Sequence, residues 1–400
     1  MRAYLLALHG ALALACTQIL VPSPTGEVVV ANTVESGDYV AEHDGHSVHL
    51  TLRGDALGGG NGTGCGADCR RRRLGGESAD CAVFNATYGF VGQMNEAGLF
   101  VSHHMLKLSV YEERDAGLPG SGVCARDVDA WLLASFGSVA ELRAALAAPD
   151  RPRIVADPDG VDGGPITYTW GVVDAAGAAV VLEWVLGSLR VHNNTAVGVL
   201  TNDPTWEWHV ANLNTYAALQ RSWIKPNTDG IEVPVDDEYY PWRDNDYYDP
   251  APPAGARVGV PAPIGHGFNL LGMPGDGGGP ARFVKSFFQR QYALAQSPPA
   301  DLEGALVLAQ ELLNTVYKVK GTVASVDADD ALETTPVSML AVPAQKLVFH
   351  RGRADLTWRK IDLARLDFAP RPGPRAHAKV ASAQFYAIDV TDALIDPSMK

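Results

Sequence analysis

The sequence predicts an α+β fold. Segments with strand character are grouped on either side of predicted helices, and no regular βαβ alternation connects them. The chain has 400 residues, 46% of them apolar and 20% charged, so it can bury one large hydrophobic core or two ordinary ones. Residues 168–173 and 179–185, separated by a turn sequence that ends in Gly177, have the pattern of an antiparallel hairpin.

The first predicted strands lie near the N-terminus. Residues 27–32 contain a run of three valines, and residues 48–52 alternate with the period of a strand, so we predict that they form the first hairpin. Residues 54–80 are rich in glycine and are predicted to be a long inserted loop. A turn and a strand are predicted over residues 91–104.

Two helices are predicted next, over residues 127–136 and 139–146. The second opens with a capping box, in which Ser138 accepts from the backbone and Glu141 reaches back. A third helix is predicted to start with Asp203 as N-cap and Pro204 at its first position.

The second half of the chain combines a long loop with further helices and strands. Residues 225–263 are rich in proline, aspartate, tyrosine and glycine, and are predicted to be an acidic loop and not a domain. Two helices and three strands complete one domain over residues 16–400, with inserted loops at about 54–80 and 225–263. The helices are predicted at 282–294 and 302–313, and the strands at 337–342, 346–349 and 356–361.

The charge balance excludes nucleic acid as the expected partner. The formal net charge is −14, whereas binding a phosphate backbone needs clustered lysine and arginine. The one basic run, residues 70–73, is either a solvated loop tip or a processing site for a protease that cuts after paired basic residues.

The first fifteen residues have the pattern of a secretory signal peptide. Arg2 precedes an apolar stretch that is too short to span a bilayer and ends in Ala13-x-Ala15. We therefore predict a secreted or extracytoplasmic protein, in a periplasm or a secretory-pathway lumen, without a membrane span. Cys16 follows directly, so a lipoprotein acylated at Cys16 is an alternative, although Ala13 stands where a lipobox usually has leucine.

The cysteine count fits an oxidising compartment. Setting Cys16 aside leaves four cysteines, which allow three disulfide connectivities. A zinc site at Cys65, Cys69 and Cys81 is the alternative, but no histidine or fourth cysteine is nearby in sequence, so no metal or cofactor is predicted. Three sequons, at Asn61, Asn85 and Asn193, give weak support for secretion.

A cut after Ala15 would place a thiol and a free α-amine on one residue. Cys16 would then carry both a nucleophile and its general base. The reference pKa values of the two groups, about 8.5 and about 7.7 to 8.0, make proton exchange between them nearly thermoneutral.

Several stretches, in this order and spacing, resemble the choloylglycine hydrolase family, which includes conjugated bile salt hydrolases and penicillin V acylases. The resemblance extends from residue 16 to about residue 368. The matching stretches are Cys16-Thr17, residues 94–99, residues 131–139, Leu182-Glu183-Trp184, residues 199–205, Trp208-His209 with Asn212-Leu213, residues 272–276, Arg282-Phe283-Val284 and residues 358–362.

This resemblance implies an N-terminal nucleophile hydrolase fold, with four layers in the order αββα and Cys16 at the end of a central strand. It implies a cofactor-free hydrolase of linear amides, and commonly a homotetramer. The Asn202 side chain and a backbone N–H near Met105 would stabilise the oxyanion, and Arg282 would favour the thiolate.

Two positions near the nucleophile depart from the family pattern. Asn32 stands where the family carries arginine, and Glu35 stands where it carries aspartate. Asparagine cannot supply the positive charge, and the extra methylene of Glu35 moves its carboxylate by roughly an ångström. Asp38 could replace the aspartate if the chain bulges. His103 and His104 are predicted at the pocket wall, as substrate-binding or structural residues.

The predicted function is therefore a secreted cysteine amidase that cleaves a small N-acyl amide. The acyl group could be a steroid acid, a phenoxyacetyl-like group or a fatty chain, the last including acyl homoserine lactones. A catalytically weak or inactive binding protein on the same scaffold is the alternative. An aromatic cluster is either self-packing of the acidic loop or a rim for the acyl group; it comprises Tyr239, Tyr240, Trp242, Tyr247 and Tyr248.

Overall fold

The structure is a computed structural model of the chain. It describes residues 15–37, 47–51, 56–57, 84–85, 90–91, 93–113, 122–156, 167–219, 221, 232–234, 257–259, 268–324, 332–369 and 377–379. The leader up to residue 14, the arginine run, Asp38 and the aromatic cluster lie outside the described residues, as do most of the two predicted loops.

The described residues form 21 strands and five α-helices. The helices are α1 Val128–Ser135, α2 Val139–Ala147, α3 Trp206–Asn212, α4 Gly279–Gln296 and α5 Leu302–Thr315. The strands are β1 Ala15–Pro22, β2 Val28–Gly37, β3 Ser47–Thr51, β4 Ala56–Leu57, β5 Phe84–Asn85, β6 Phe90–Val91, β7 Met94–Asn95, β8 Phe100–Met105, β9 Gly122–Cys124, β10 Arg153–Val155, β11 Tyr168–Val173, β12 Ala179–Val185, β13 Ser188–Asn193, β14 Val199–Leu200, β15 Glu232–Pro234, β16 Arg257–Gly259, β17 Val323–Ala324, β18 Leu332–Val342, β19 Leu347–Gly352, β20 Arg359–Asp362 and β21 His377–Lys379.

Two antiparallel sheets dominate the fold. The first has the strand order β14-β1-β2-β18-β19-β20, with β17 also paired to β18. The second has the order β13-β12-β11-β8-β7-β6-β3-β21. The three remaining strand pairs, β9 with β10, β4 with β5 and β15 with β16, are small separate ladders.

Three apolar clusters show that the two sheets stack between helical layers. Leu20 and Val30 from the first sheet meet Phe100 and Val173 from the second in one buried cluster. The opposite face of the first sheet packs on α4 and α5, and the outer face of the second sheet packs on α1 and α2. The predicted α+β class and the four-layer αββα order are both confirmed.

Strand β1 shows why the layers form in this order. Because successive side chains of a strand point to opposite faces, Ile19 and Val21 face the helices while Leu20 faces the other sheet. All three side chains are at most 2% exposed, and burying such a side chain contributes about 1.5–3 kcal/mol. Both faces of β1 therefore pack in hydrophobic clusters.

The predicted first hairpin is wrong. Strand β2 pairs with β1 over eight residue pairs, from Ala15 opposite Glu35 to Pro22 opposite Val28. Strand β3 pairs instead with β6 and β21 in the other sheet. Because β1 is buried on both faces, it lacks the polar and apolar alternation that would have marked it as the partner of β2.

The helical predictions agree with the structure, with one correction. Ser138 accepts from the Glu141 N–H at 3.2 Å, and Glu141 accepts from the Gly137 N–H at 2.8 Å, one residue before the expected position. Helix α3 begins two residues later than predicted, with Thr205 as N-cap. Asp203 is not the cap, because its carboxylate accepts from the Lys107 N–H at 2.7 Å.

The contacts divide the chain into two compact units. The first comprises residues 1–213 and 274–400, and the second residues 214–273. Within the second unit the structure describes β15, β16, a 3-10 turn at Phe268–Leu270 and the adjoining residues. Among the described residues, no helix has the length and apolar character to cross a membrane.

A tight turn between β7 and β8 generates a stability prediction. Gly98 has φ +87°, and a Cβ at this position would overlap the Pro343 carbonyl oxygen. Gly26 has a similar φ of +100°, but a Cβ there would meet nothing within 4 Å. We expect Gly98→Ala to lower the free energy of unfolding by more than about 2 kcal/mol, and Gly26→Ala by about 1 kcal/mol. Chemical denaturation measures both values, and equal losses would show that the Pro343 contact is unimportant.

Candidate active site

Cys16 lies near the start of β1 and is almost completely enclosed. Its side chain is a free thiol with 2% exposure. Since it shares a strand face with Gln18, whose amide reaches Ser102 of β8, the thiol faces the second sheet. The nucleophile predicted from sequence is therefore buried at the sheet interface.

Burial, together with the charge of the Glu35 carboxylate, raises the pKa of the Cys16 thiol to about 12. Three groups oppose this shift, namely the Glu35 backbone N–H and the charges of Arg282 and Lys318. In the chain with Ala15 still attached, the thiol is therefore protonated at neutral pH.

Asn202, just beyond β14, is placed directly against the Cys16 backbone. Its Oδ1 accepts from the Cys16 N–H at 2.9 Å and from Arg282 Nη2 at 2.6 Å. Its Nδ2 donates to the Met105 carbonyl oxygen at 3.1 Å. Two donors on one side and an acceptor on the other determine the orientation of the amide.

Arg282, in the first turn of α4, joins the parts of the site. Its Nη1 donates to the Cys16 carbonyl oxygen at 2.8 Å and to Thr17 Oγ1 at 2.5 Å. Its Nε donates to the Gly277 carbonyl oxygen at 2.9 Å. The residue is 1% exposed, so these bonds and the contact with Asn202 replace its hydration.

Glu35 lies on the helix-facing side of β2, opposite Ala15. The distance from its Oε2 to Arg282 Nη1 is 3.3 Å, and the residue has no exposed surface. Burial raises the pKa of this carboxyl group, while Arg282, Lys318 and the Thr33 hydroxyl favour the charged form. Glu35, one of the two residues that differ from the family pattern, thus contacts the predicted site arginine.

Asn32 lies on the other face of β2, opposite Gln18 in the register. It is 2% exposed, and its Nδ2 donates to the Thr33 carbonyl oxygen at 3.3 Å. Its Oδ1 makes no hydrogen bond with any part of the chain that the structure describes. Asn32 therefore faces the sheet interface with the thiol, and it is separated from Glu35 by the strand itself.

The two histidines of β8 point to opposite faces of the second sheet. His104 is completely buried at the sheet interface, within 3.0 Å of Ser102 Oγ, and burial lowers its pKa to about 3. His103 faces α1, where its Nδ1 is 2.6 Å from Asp129, and this carboxylate raises the pKa of His103. The prediction that both histidines lie at one pocket wall is therefore corrected, since only His104 lies on the side of Cys16.

Met105 contributes a carbonyl oxygen to the site. That oxygen is an acceptor for Asn202 Nδ2 and cannot stabilise an oxyanion. In the segment after Met105, the Leu106 N–H donates to the Thr167 carbonyl oxygen at 2.9 Å, and the Lys107 N–H donates to Asp203. Both of these N–H groups, which could have supplied the oxyanion donor expected from this segment, are therefore hydrogen-bonded within the protein.

His209 of α3 is a site residue to which the sequence assigned no role. Its Nε2 donates to the Asn202 carbonyl oxygen at 2.7 Å, and its ring stacks on Phe283 at 4.7 Å with an interplanar angle of 8°. It is 1% exposed, and burial lowers its pKa to about 4. Its place in the Trp208-His209 motif was the available signal.

The sequence predicted no metal site and left three disulfide connectivities open. Within the described ranges, no group of three or more histidine, cysteine, aspartate or glutamate side chains is arranged to hold a metal ion. Cys124 of β9 is disulfide-bonded. Cys65, Cys69 and Cys81 lie outside the described residues, so the predicted connectivities remain open.

The buried His209 generates a prediction about acid stability. Its folded-state pKa of about 4 lies below the unfolded value of about 6.5, so the folded state loses stability as the pH falls from about 6.5 to about 4. We expect His209→Gln to reduce this loss by roughly 2–3 kcal/mol, measured by urea unfolding at several pH values.

His103→Gln is the control for this prediction. The pKa of His103 is raised, so its contribution is present below about pH 6.5 and is lost as the pH rises through the folded-state value. This variant should leave the acid-side loss unchanged. An unaltered acid-side loss in His209→Gln would show that His209 is not held neutral in the fold.

Comparison with known proteins agrees with this geometry. The family model described as linear amide C–N hydrolases, choloylglycine hydrolase family, matches residues 81–231. The bile salt hydrolase/transferase of Clostridium perfringens (strain 13 / Type A) is 27% identical over 245 residues, which is 61% of this chain and 64% of that protein. The bile salt hydrolase/transferase of Lactiplantibacillus plantarum is 25% identical over 229 residues, 57% of this chain and 59% of that protein. The match thus spans less than two thirds of these relatives.

Solved structures share the fold along nearly the whole chain. A mutant conjugated bile acid hydrolase from Clostridium perfringens has a TM-score of 0.70 at 20% identity, covering 94% of this chain and 99% of that one. Penicillin V acylase from Agrobacterium tumefaciens has a TM-score of 0.60 at 18% identity, covering 93% and 94%. Together with the family-model match over residues 81–231 and the relatives of similar sequence, these findings show that the chain is similar to the choloylglycine hydrolase family in part of its sequence and in its fold.

Proposed function

We propose that this protein is a cysteine amidase that hydrolyses the linear C–N amide bond of a small N-acyl substrate. The observation that carries the proposal is the contact set at the start of β1. Asn202 and Arg282, both predicted from family motifs, bind the backbone N–H and C=O of Cys16 at 2.9 Å and 2.8 Å. Such contacts would hold the cysteine in place while its side chain reacts.

The proposed nucleophile forms when the residues before Cys16 are removed. The freed α-amine would occupy the place of the present N–H and donate one hydrogen to Asn202 Oδ1. Its lone pair could then accept the thiol proton as the sulfur attacks the amide carbonyl carbon. The C–N bond breaks, the α-ammonium returns the proton to the leaving amine, and an acyl thioester remains on Cys16.

Water completes the cycle. The amine accepts a proton from water as its oxygen attacks the thioester, the C–S bond breaks, and the carboxylic acid leaves while the thiol is restored. The amide nitrogen of Asn202 has two hydrogens, one of which is bonded to Met105. We assign this nitrogen as a donor to the negatively charged oxygen of the intermediate.

We also propose an extracytoplasmic location. The apolar leader that ends at Ala15 is typical of secretion, and a disulfide at Cys124 fits an oxidising compartment. Removal of the leader would produce the mature N-terminal cysteine in the same step.

Activity is tested on a panel of N-acyl glycines, taurocholate, penicillin V and acyl homoserine lactones. We expect amine release from at least one compound by the protein that begins at Cys16, and a loss of at least 100-fold in kcat/KM for Asn202→Ala. Cys16→Ala should abolish release, and Asn193→Gln, an exposed change on β13, should leave it intact. No release from any compound, with the thiol and N-terminus intact, would contradict the amidase proposal and favour a binding protein.

The raised thiol pKa gives a second prediction. At pH 8, iodoacetamide should modify Cys16 at least about tenfold faster in the protein that begins at Cys16 than in the chain that retains the leader, because only the former has an adjacent amine base. Mass spectrometry of the Cys16 peptide gives the rate, and Cys16→Ala corrects for the other cysteines. Equal rates would mean that the amine does not activate the thiol.

A further inference from the structure

Lys318 is a buried cation for which the proposed mechanism has no role. It follows α5, and only 4% of it is exposed. A buried ammonium is costly unless it is paired. The Lys318 ammonium pairs with the Glu333 carboxylate of β18.

The backbone of Lys318 is fixed on β18. Its N–H donates to Thr335 Oγ1 at 2.9 Å, and its carbonyl oxygen accepts from the Thr335 N–H at 3.2 Å. In the register of β18 with β2, Glu333 lies opposite Gly37 and Thr334 opposite Ser36. The Lys318–Glu333 pair is therefore placed at the end of β2 that carries Glu35.

Gly277 connects Lys318 to the site arginine. Its carbonyl oxygen accepts from Arg282 Nε at 2.9 Å, and a Cβ built on it would lie 3.6 Å from Lys318 Cε. The lysine side chain thus passes the same residue that holds Arg282. Arg282 contacts Glu35 on the helix-facing side of the first sheet, and Glu333, the partner of Lys318, lies opposite Gly37, which is on the same face of β2 as Glu35.

We propose that Lys318, held by Glu333, is a second buried cation of the site and acts with Arg282 to keep Glu35 as a carboxylate at the start of β1. It is a positioning residue, because it would act through Glu35 and not on the substrate. Asn32 leaves the site without the arginine of the family pattern, and Lys318 supplies positive charge from a different element. The inference rests on the proposed function and deepens it, because a charged Glu35 at the start of β1 would stabilise the α-ammonium that forms on Cys16 during the reaction.

Charges on several elements act on this carboxyl group. Arg282 and Lys318 lower the pKa of Glu35, whereas Glu333 and burial raise it. Cys16 is coupled to the same groups, since Glu35 raises the pKa of its thiol while Arg282 and Lys318 lower it. Loss of Lys318 should therefore favour the protonated form of Glu35, and loss of Glu333 should favour the charged form.

A double-mutant cycle tests the coupling without using activity. Urea midpoints are measured on the full chain for the parent, Lys318→Met, Glu35→Gln and the double variant. We expect Lys318→Met to lower the midpoint clearly less in the Glu35→Gln background, because the carboxylate that it neutralises is absent. An equal loss in both backgrounds, with all variants folded, would overturn the inference by showing that Lys318 serves only its pair with Glu333.

The pH dependence of these midpoints has a defined sign. Glu35 has a folded-state pKa above its unfolded value, so stability decreases as the pH rises through the folded-state value. Lys318→Met should steepen this decrease with pH. The fall in urea midpoint that the substitution causes should therefore be smaller at pH 4 than at pH 8. A loss that is independent of pH would contradict the proposal.

The pH profile of hydrolysis gives the functional readout. Lys318→Met should move the acid limb of kcat/KM to higher pH by about one unit, and Glu333→Gln should move it to lower pH. Lys318→Arg should restore the profile, and Lys320→Met, an exposed change two residues away, should leave it unchanged. Unmoved limbs in both Lys318→Met and Glu333→Gln would overturn the inference. If no variant hydrolyses any substrate but the cycle shows coupling, the amidase proposal fails while the charge inference stands.

Discussion

The guanidinium of Arg282 is the interaction on which the site depends. An arginine with 1% exposure must find hydrogen-bond acceptors within the protein, and Arg282 finds them on Cys16, Thr17, Asn202 and Gly277. These acceptors belong to β1, to the segment just after β14, and to the segment before α4. One side chain therefore connects α4 to β1 and to the segment that follows β14.

The sheet interface changes character near the site. At Leu20, Val30 and Phe100 it is an apolar core, but toward Cys16 it contains a short polar chain, in which Gln18 donates to Ser102 Oγ at 2.9 Å and Ser102 contacts His104. Gly171 makes room for this chain, since a Cβ there would lie 2.6 Å from Gln18 Oε1. A polar stretch inside a sheet sandwich costs stability unless it is bonded, so its position behind the nucleophile suits a functional site better than a packing role.

The sequence predicted those parts of the fold that depend on local patterns. Helices α4 and α5 follow from apolar periodicity, and the β11–β12 hairpin follows from two strand-like segments with a glycine turn. Asn202 and Arg282 were found through motifs, and the structure brings both to Cys16. The β1–β2 pairing was missed because β1 is buried on both faces and has no alternation to detect.

Contacts between distant segments could not be predicted in the same way. His209 and Lys318 reach the site through the packing of α3 on α4 and of the post-α5 segment on β18, and no local pattern reports such packing. The separation of His103 from His104 was in principle predictable, since neighbours on a strand face opposite sides. By that rule, one of the two histidine side chains faces the sheet interface that contains Cys16, and the other faces the helical layer.

The register of β1 with β2 has a consequence for water. Ala15 occupies the ladder position opposite Glu35, whose carboxyl group has no exposed surface. If the chain is cut after Ala15, this ladder position is vacated, and water that enters there would lie at the end of β2. Desolvation is the largest cause of the raised pKa of Glu35, so rehydration would let the group ionise more easily. The same cut would thus create a basic amine and prepare the acid opposite it, coupling maturation to the charge state of the site.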